Sequence, residues 1–167
     1  MKTTEETGSY EPRVLAFCCL YCAYAAADVA GVMRRSYPES VRLVRVPCTG
    51  RIDQIDLLKA FESGVDGVLV MGCLDGQCHY KEGNLRARQT VKLVQARLDK
   101  IGLGSGRLEC HWISASMGLQ FADILTEATE RIRSLGPSPI GLSVRRVREA
   151  GAADGAERVA GRGSVAD

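Results

Sequence analysis

The stretch "RVLAFCCLYCAYAAADVAGVMRRS", residues 13–36, decides how the chain folds. It opens on a short apolar run, "RVLAF" at 13–17, with no alternation, as expected of a strand buried on both faces. Residues 22–36 then become rich in alanine and end on Arg34 and Arg35. That is the pattern of a helix whose cationic end suits its C-terminus. A strand that runs directly into a helix is the first half of a βαβ unit. Cys18, Cys19 and Cys22 stand at the junction.

The same alternation repeats outward from this unit. "VRLVRV" (41–46) is rich in valine and alternates, as a strand does. Asp53 is placed to cap a helix running to Glu62, with Ile55, Leu58 and Phe61 on one face. "DGVLVMG" (66–72) is a further buried strand. Val91, Val94, Leu98 and Ile101 recur at helical spacing within 84–102. "GLGSG" (102–106) makes a turn, and "RLECHWI" (107–113) a fourth strand. Ser116 is placed to cap a last helix over 117–135, which "GPSP" ends. Strands and helices in strict alternation predict an α/β fold: a flavodoxin-like open parallel four-stranded sheet with helices on both faces. Residues 1–12 are expected to form a flexible arm and 13–137 the domain. The tail 138–167, rich in Gly, Ala, Arg and Asp, is expected to be disordered or to fold on a partner.

Composition excludes several classes of function. The 167 residues carry a formal net charge of +2 and 5% aromatics, which gives no footprint for nucleic acid. No apolar run is long enough to span a bilayer, and "MKTTEETGSYEP" has no apolar core of a secretory signal. The expected compartment is the cytoplasm, without membrane insertion. There the seven cysteines point to metal or redox chemistry rather than to disulfides.

Six of the seven fall just past the carboxyl end of a predicted strand. Cys18, Cys19 and Cys22 follow the first, Cys48 the second, and Cys73 and Cys78 the third; Cys110 lies inside the fourth, where it is expected to be core. In an open parallel sheet these ends share one edge, and ligands bind there. With strand order 2-1-3-4, the first-strand cysteines sit between the other two groups. Gathered thiolates repel one another, and a metal or an iron–sulfur core relieves the repulsion. Two other readings remain at this point. Cys19-Leu20-Tyr21-Cys22 also has the form of a thioredoxin-type dithiol, and a zinc-stapled interaction module would use the same ligands. A dithiol leaves Cys48, Cys73 and Cys78 without a task. Buried structural thiols would be scattered rather than clustered.

Four blocks, "FCCLYCAYAAADVAGVMR", "VPCTGRID", "GVDGVLVMGCLDGQCHYKEGN" and "ISASMGLQF", resemble the methyl-viologen-reducing hydrogenase delta subunit family. The likeness runs from about residue 13 to residue 137. It implies an electron-transfer subunit with a [2Fe-2S] cluster. Its implied partners are the flavin-containing A subunit of a heterodisulfide reductase-like complex and a hydrogenase or other oxidoreductase module. The family cysteines fall on Cys19, Cys22, Cys48, Cys73 and Cys78, one more than such a cluster needs. Neighbouring strand residues point to opposite sides, so only one of Cys18 and Cys19 need face the site, and Cys19 keeps the C-x-x-C spacing. His79 and Arg51 are candidates for supporting roles beside the cluster: His79 as a donor to sulfur, Arg51 as a counter-charge or partner contact. Tyr24 and Tyr80 are candidates to cover the site. Asp28 is a candidate to pair with Arg34 or Arg35. Met117 stands where the family often has an acid.

Overall fold

The computed structural model describes residues 10–160. Among them four strands, β1 (Val14–Cys19), β2 (Val41–Val46), β3 (Gly67–Gly72) and β4 (Leu108–Trp112), form one sheet in the order β2-β1-β3-β4. All pairings are parallel; Ala16 of β1 faces Leu43 of β2 and Leu69 of β3. The helices are α1 (Ala25–Val32), α2 (Gln54–Glu62), α3 (Gly83–Lys100), α4 (Gly118–Ser134) and α5 (Pro139–Ala160). The α/β class, the parallel sheet and the flavodoxin-like order are those expected from the sequence.

The strands explain the two cores. β3 is central and buried at all six positions, hence its unbroken apolar run. Its alternate residues serve opposite faces. Leu69 and Met71 join Val14, Ala16, Phe121, Leu125 and Ile132 under α1 and α4. Val68 and Val70 join Leu57, Phe61, Val91, Val94 and Leu98 under α2 and α3. Each fully buried Leu or Phe contributes about 1.5–3 kcal/mol. The alanines of α1 also have a role here: Ala26 and Ala30 are fully buried, and a Cβ on Gly118 of α4 would lie 2.7 Å from the Ala30 amide nitrogen. Small residues let the two helices touch.

Local boundaries differ from the sequence reading in identifiable ways. The first helical segment begins as a π-turn, Leu20–Tyr24, and α1 ends at Val32 rather than continuing to residue 36. Arg34 adopts φ 54° and Pro38 follows close behind, so the chain leaves the helix early. Asp53 does cap α2: it accepts from the Asp56 amide at 2.9 Å, and Asp56 accepts from the Asp53 amide at 3.0 Å. Ser116 does not cap α4. Met117 holds the cap position, and the Ser116 hydroxyl lies 3.2 Å from that of Ser114. Arg35 pairs with Asp123 at 3.2 Å, and Asp28 forms no ion pair among the described residues.

Residues 1–9 of the expected arm lie outside the described residues. Glu11 is tied down by Ser40 and Arg133, each at 2.8 Å. Of the expected tail, residues 139–160 are helical as α5. The carboxylate of Asp66, 0% exposed at the foot of β3, holds its start. It accepts from the Arg13 amide (2.9 Å), the Ser138 amide (2.8 Å) and the Arg145 guanidinium (2.7 and 3.0 Å). Buried Arg107 donates to the carbonyls of Leu103, Asp66, Leu135 and Gly136 and so closes the C-terminal end of α4. No described helix is long and apolar enough to cross a membrane.

Candidate metal centre

Because β1 lies between β2 and β3, the three loops that leave these strands meet at the carboxyl edge of the sheet. Cys19 ends β1, and the π-turn brings Cys22 back beside it. Single π-turns of this kind recur at functional sites. Cys73 follows β3 directly. The three Sγ atoms lie within 4.8 Å of one another, with Cys19 and Cys73 3.7 Å apart. Cys48 follows β2 at the head of a 3₁₀ turn, Thr49–Arg51, and its sulfur accepts from the Gly50 amide at 3.4 Å. Cys78 lies in the loop between β3 and α3, close enough to Cys48 for the two thiols to influence one another's ionisation. Both sulfurs face the same glycine at the start of α3: a Cβ on Gly83 would overlap Cys48 Sγ and come within 3.1 Å of Cys78 Sγ.

The five thiols thus form a trio, Cys19, Cys22 and Cys73, and a pair, Cys48 and Cys78. A negative charge on Cys19 adds to the upward push on the Cys48 thiol across the gap. Cys18 stands apart. It is fully buried, its Sγ directed at the Ala16 carbonyl (3.7 Å), and burial pushes its thiol up to about 12. Cys110 is half-buried and packs against the core under α2 and α3.

The trio and the pair each contain one thiol whose pKa is lowered. A hydrogen bond from the Cys22 thiol lowers Cys19 to about 5 against the opposing effect of burial; the Tyr21 amide assists. The same hydrogen bond, with burial, pushes Cys22 up. Burial pushes Cys73 up to about 11 and raises Cys48. Burial acts upward on Cys78 as well, but the amides of Tyr80, Asn84 and Gly83 outweigh it and lower that thiol. Amides at the start of a helix are a ready source of such stabilisation.

The loop that carries Cys73 and Cys78 is stitched in place by a residue to which the sequence reading gave no role. Buried Asn84 donates from Nδ2 to the Cys73 carbonyl (3.1 Å) and the Leu74 carbonyl (3.2 Å). Arg88 holds Asp75 at 3.0 Å and stacks over Trp112 at 4.9 Å. A short polar side chain directly after the glycine that opens a helix was the available signal. Tyr21, between two cysteines, was also passed over. Its ring stacks on His79 with centroids 4.1 Å apart and meets Tyr80 edge-on at 5.9 Å. The three rings bridge the π-turn to the β3–α3 loop.

His79 is therefore exposed and stacked, and the metal-ligand grouping found among the described residues contains cysteines alone. Arg51 is exposed and lines a cavity with Cys48 and Tyr80. Tyr24 is half-buried against the α1–α4 core, with Arg45 5.5 Å above its ring. Met117 Sδ accepts from the Ser114 amide at 3.4 Å, so it shapes the start of α4.

The donor set fits an iron–sulfur core. It offers clustered thiols, a metal-ligand grouping of cysteines alone among the described residues, and backbone amides turned to Cys19, Cys48 and Cys78, features that suit thiolate-held clusters.

Comparison with known proteins agrees. Residues 14–136 match the family described as FlpD, methyl-viologen-reducing hydrogenase, delta subunit. The iron-sulfur subunit of the F420-non-reducing hydrogenase of Archaeoglobus profundus is 46% identical over 128 residues, covering 77% of this chain and 93% of that protein. The vhu iron-sulfur subunit of the F420-non-reducing hydrogenase of Methanocaldococcus jannaschii is 42% identical over 130 residues, covering 78% and 97%. The A subunit of the ferredoxin:CoB-CoM heterodisulfide reductase of Methanosarcina mazei is 39% identical over 135 residues, covering 81% of this chain but only 17% of that protein. A segment of a much longer polypeptide there resembles nearly all of this domain.

Proposed function

Because the chain belongs to the methyl-viologen-reducing hydrogenase delta subunit family, we propose that it is an electron-transfer subunit built around a [2Fe-2S] cluster. It relays electrons between the A subunit of a heterodisulfide reductase-like complex and a hydrogenase or other oxidoreductase module. The observation that carries this reading is the convergence of five thiols from three strand-end loops at one sheet edge. Four would hold the cluster: Cys48 and Cys78 from the pair, and two of Cys19, Cys22 and Cys73. The fifth remains a neighbouring thiol. When bound, the cluster supplies a one-electron carrier whose potential follows its burial, its charge and the hydrogen bonds to its sulfurs.

The chain's own residues set those conditions. The amides of Gly83, Asn84 and Tyr80 direct partial positive charge at Cys78, and those of Tyr21 and Cys22 do so at Cys19. The Tyr21–His79–Tyr80 cluster ties the π-turn to the β3–α3 loop on the outer side of the site. The relatives named for hydrogenases support one partner class, and the heterodisulfide reductase relative supports the other.

Anaerobic purification with iron and sulfide assays tests the reading. A coloured protein with about two irons and two sulfides per chain, bleached by dithionite, is the expected result. A colourless protein with stoichiometric zinc would replace the relay with a stapled interaction module. A metal-free protein with a titratable dithiol would favour the one competing reading that has an observation behind it: the low Cys19 thiol next to a protonated Cys22. That reading leaves the Cys48–Cys78 pair unused.

A further inference from the structure

The outer wall of the thiol site is a cavity of about 430 Å³ between the 3₁₀ turn at Thr49–Arg51 and the start of α3. Pro47, Cys48 and Tyr80 line it, and Arg51 and Arg86 stand on it from opposite elements. Both arginines are exposed, and neither forms an ion pair among the described residues. Asp53 lines a neighbouring cavity with both arginines but pairs with neither. Asp53 and Asp56 bind each other's amides in the cap of α2, and Glu82, four residues before Arg86, makes no ion pair with it.

Next to this cationic mouth lies exposed apolar surface. Leu20, Tyr21 and Tyr80 are 38%, 45% and 52% exposed. All three stand on the loops that carry the cysteines. Exposed aromatic groups gathered with arginines mark contact surfaces, where these residue types supply most of the binding energy. Free guanidinium groups beside an apolar wall call for a carboxylate, which they bind in two-point fashion and more strongly as water is excluded.

We propose that this face is the dock for the heterodisulfide reductase-like A subunit, and that this partner seats an Asp or Glu carboxylate between Arg51 and Arg86 while an apolar rim packs on Tyr21 and Tyr80. The proposal rests on the relay reading, and adds the surface and the chemistry of recognition. It also gives the exposed aromatic cluster a second task. An electron relay must bring the partner's redox group up to the thiols, and this cavity reaches Cys48 directly.

The test uses the cluster-loaded chain and the purified flavoprotein partner from the same cells, with affinity measured at several salt concentrations. Arg51→Glu and Arg86→Glu should each weaken binding at least tenfold and flatten its dependence on salt. Tyr80→Ala should weaken binding without changing the salt slope. Arg35→Glu, on the far side at Asp123, should change neither. Iron content and visible spectrum, recorded for every variant, separate a lost contact from a damaged site; where a reversal disturbs them, Arg51→Gln and Arg86→Gln take its place. Binding of the reversed variants as tight and as salt-sensitive as that of the unaltered chain overturns the dock and leaves the relay reading standing. Failure of the unaltered chain to bind this partner overturns both. Competition by inorganic phosphate beyond its effect as salt assigns the cavity to a free anion and overturns the protein dock.

Discussion

Gly83→Ala should disable the metal centre from outside its ligand set. Glycine at the opening of a helix ordinarily gains about 0.5–1 kcal/mol on becoming alanine. Here the added methyl has no room. It would lie 3.1 Å from Cys78 Sγ and overlap Cys48 Sγ outright, where non-bonded contacts need roughly 3.5–4.0 Å. Neither sulfur can yield freely. Cys48 is 5% exposed and bonded to the Gly50 amide, and Gly50 itself abuts Gly83 so closely that its own Cβ would lie 2.7 Å from the Gly83 Cα. Overpacking of this kind costs about 1–3 kcal/mol, which outweighs the helical gain. The expected result is an iron content below half that of the unaltered chain, an altered electron paramagnetic resonance signal, and a metal-free form destabilised by about 1–2 kcal/mol in urea. Gly31→Ala is the control: nothing lies within 4 Å of its Cβ position, and it should stabilise the chain slightly and leave iron unchanged. Cys48→Ala combined with Gly83→Ala should recover the metal-free stability, because it removes the sulfur that the methyl strikes. A Gly83→Ala protein with full iron, an unchanged signal and unchanged urea midpoint would refute the reasoning.

Three further outcomes follow from other parts of the molecule. Asp66→Asn removes the charge that faces Arg145 and weakens the hold on the Ser138 and Arg13 amides, at a cost of about 2–4 kcal/mol; urea unfolding should show it, and hydrogen exchange should report α5 released first. A loss under about 0.5 kcal/mol would mean α5 is held otherwise. Glu109 is opposed by burial but held down to about 2, from its ordinary 4.5, by His111 and Arg131. Its stabilisation is present above pH 4.5 and is lost as pH falls toward 2, so Glu109→Gln should flatten the acid limb of stability in that window. The loss at pH 7 should be about 1 kcal/mol after allowance for solvent screening. An unchanged acid limb would count against the ion pairs. Cys18→Ala should leave the visible spectrum and iron content as they are while Cys48→Ala and Cys78→Ala abolish or change them; loss of iron on Cys18→Ala would reassign the strand-end pair.

What the sequence disclosed depended on the range of the interaction involved. β3 was plain because a strand buried on both faces leaves a continuous apolar run, "GVLVMG". The strand order β2-β1-β3-β4 had to be assumed, whereas a parallel sheet with adjacent strands was enough to bring Cys19, Cys22, Cys48, Cys73 and Cys78 to one edge. The fine structure of that edge was not legible. Nothing local shows that Cys22 is delivered by a π-turn, or that Tyr21 stacks on the distant His79. The docking of α5 was hidden for the same reason. Its anchor is a buried carboxylate that Arg145 meets across 79 positions, so composition alone pointed to disorder or to a partner. Arg107, which is 5% exposed, looks on paper like any surface cation, and three of its four carbonyl partners come from two distant segments.

The division of the thiols into a trio and a pair also follows from the sheet, and it bears on why five cysteines are present where four suffice. β1 and β3 are adjacent and end at nearly the same level, Cys18 opposite Met71, so the chain emerging from each places Cys19 and Cys73 3.7 Å apart without help from any loop. Cys48 and Cys78 have no such scaffold. They come from a 3₁₀ turn and an excursion between β3 and α3, and are located by Gly50, Gly83 and the Asn84 side chain. Cys19 and Cys73 are thus fixed by strands, Cys22 by the π-turn, and the pair by glycine contacts and one amide. If that is so, Asn84→Ala should loosen the Cys73–Cys78 loop and lower iron content while the trio retains its chemistry, measured on the metal-free chain as a thiol that still titrates near 5. Loss of the low-titrating thiol together with the iron would show that strands and loops hold the site as one body.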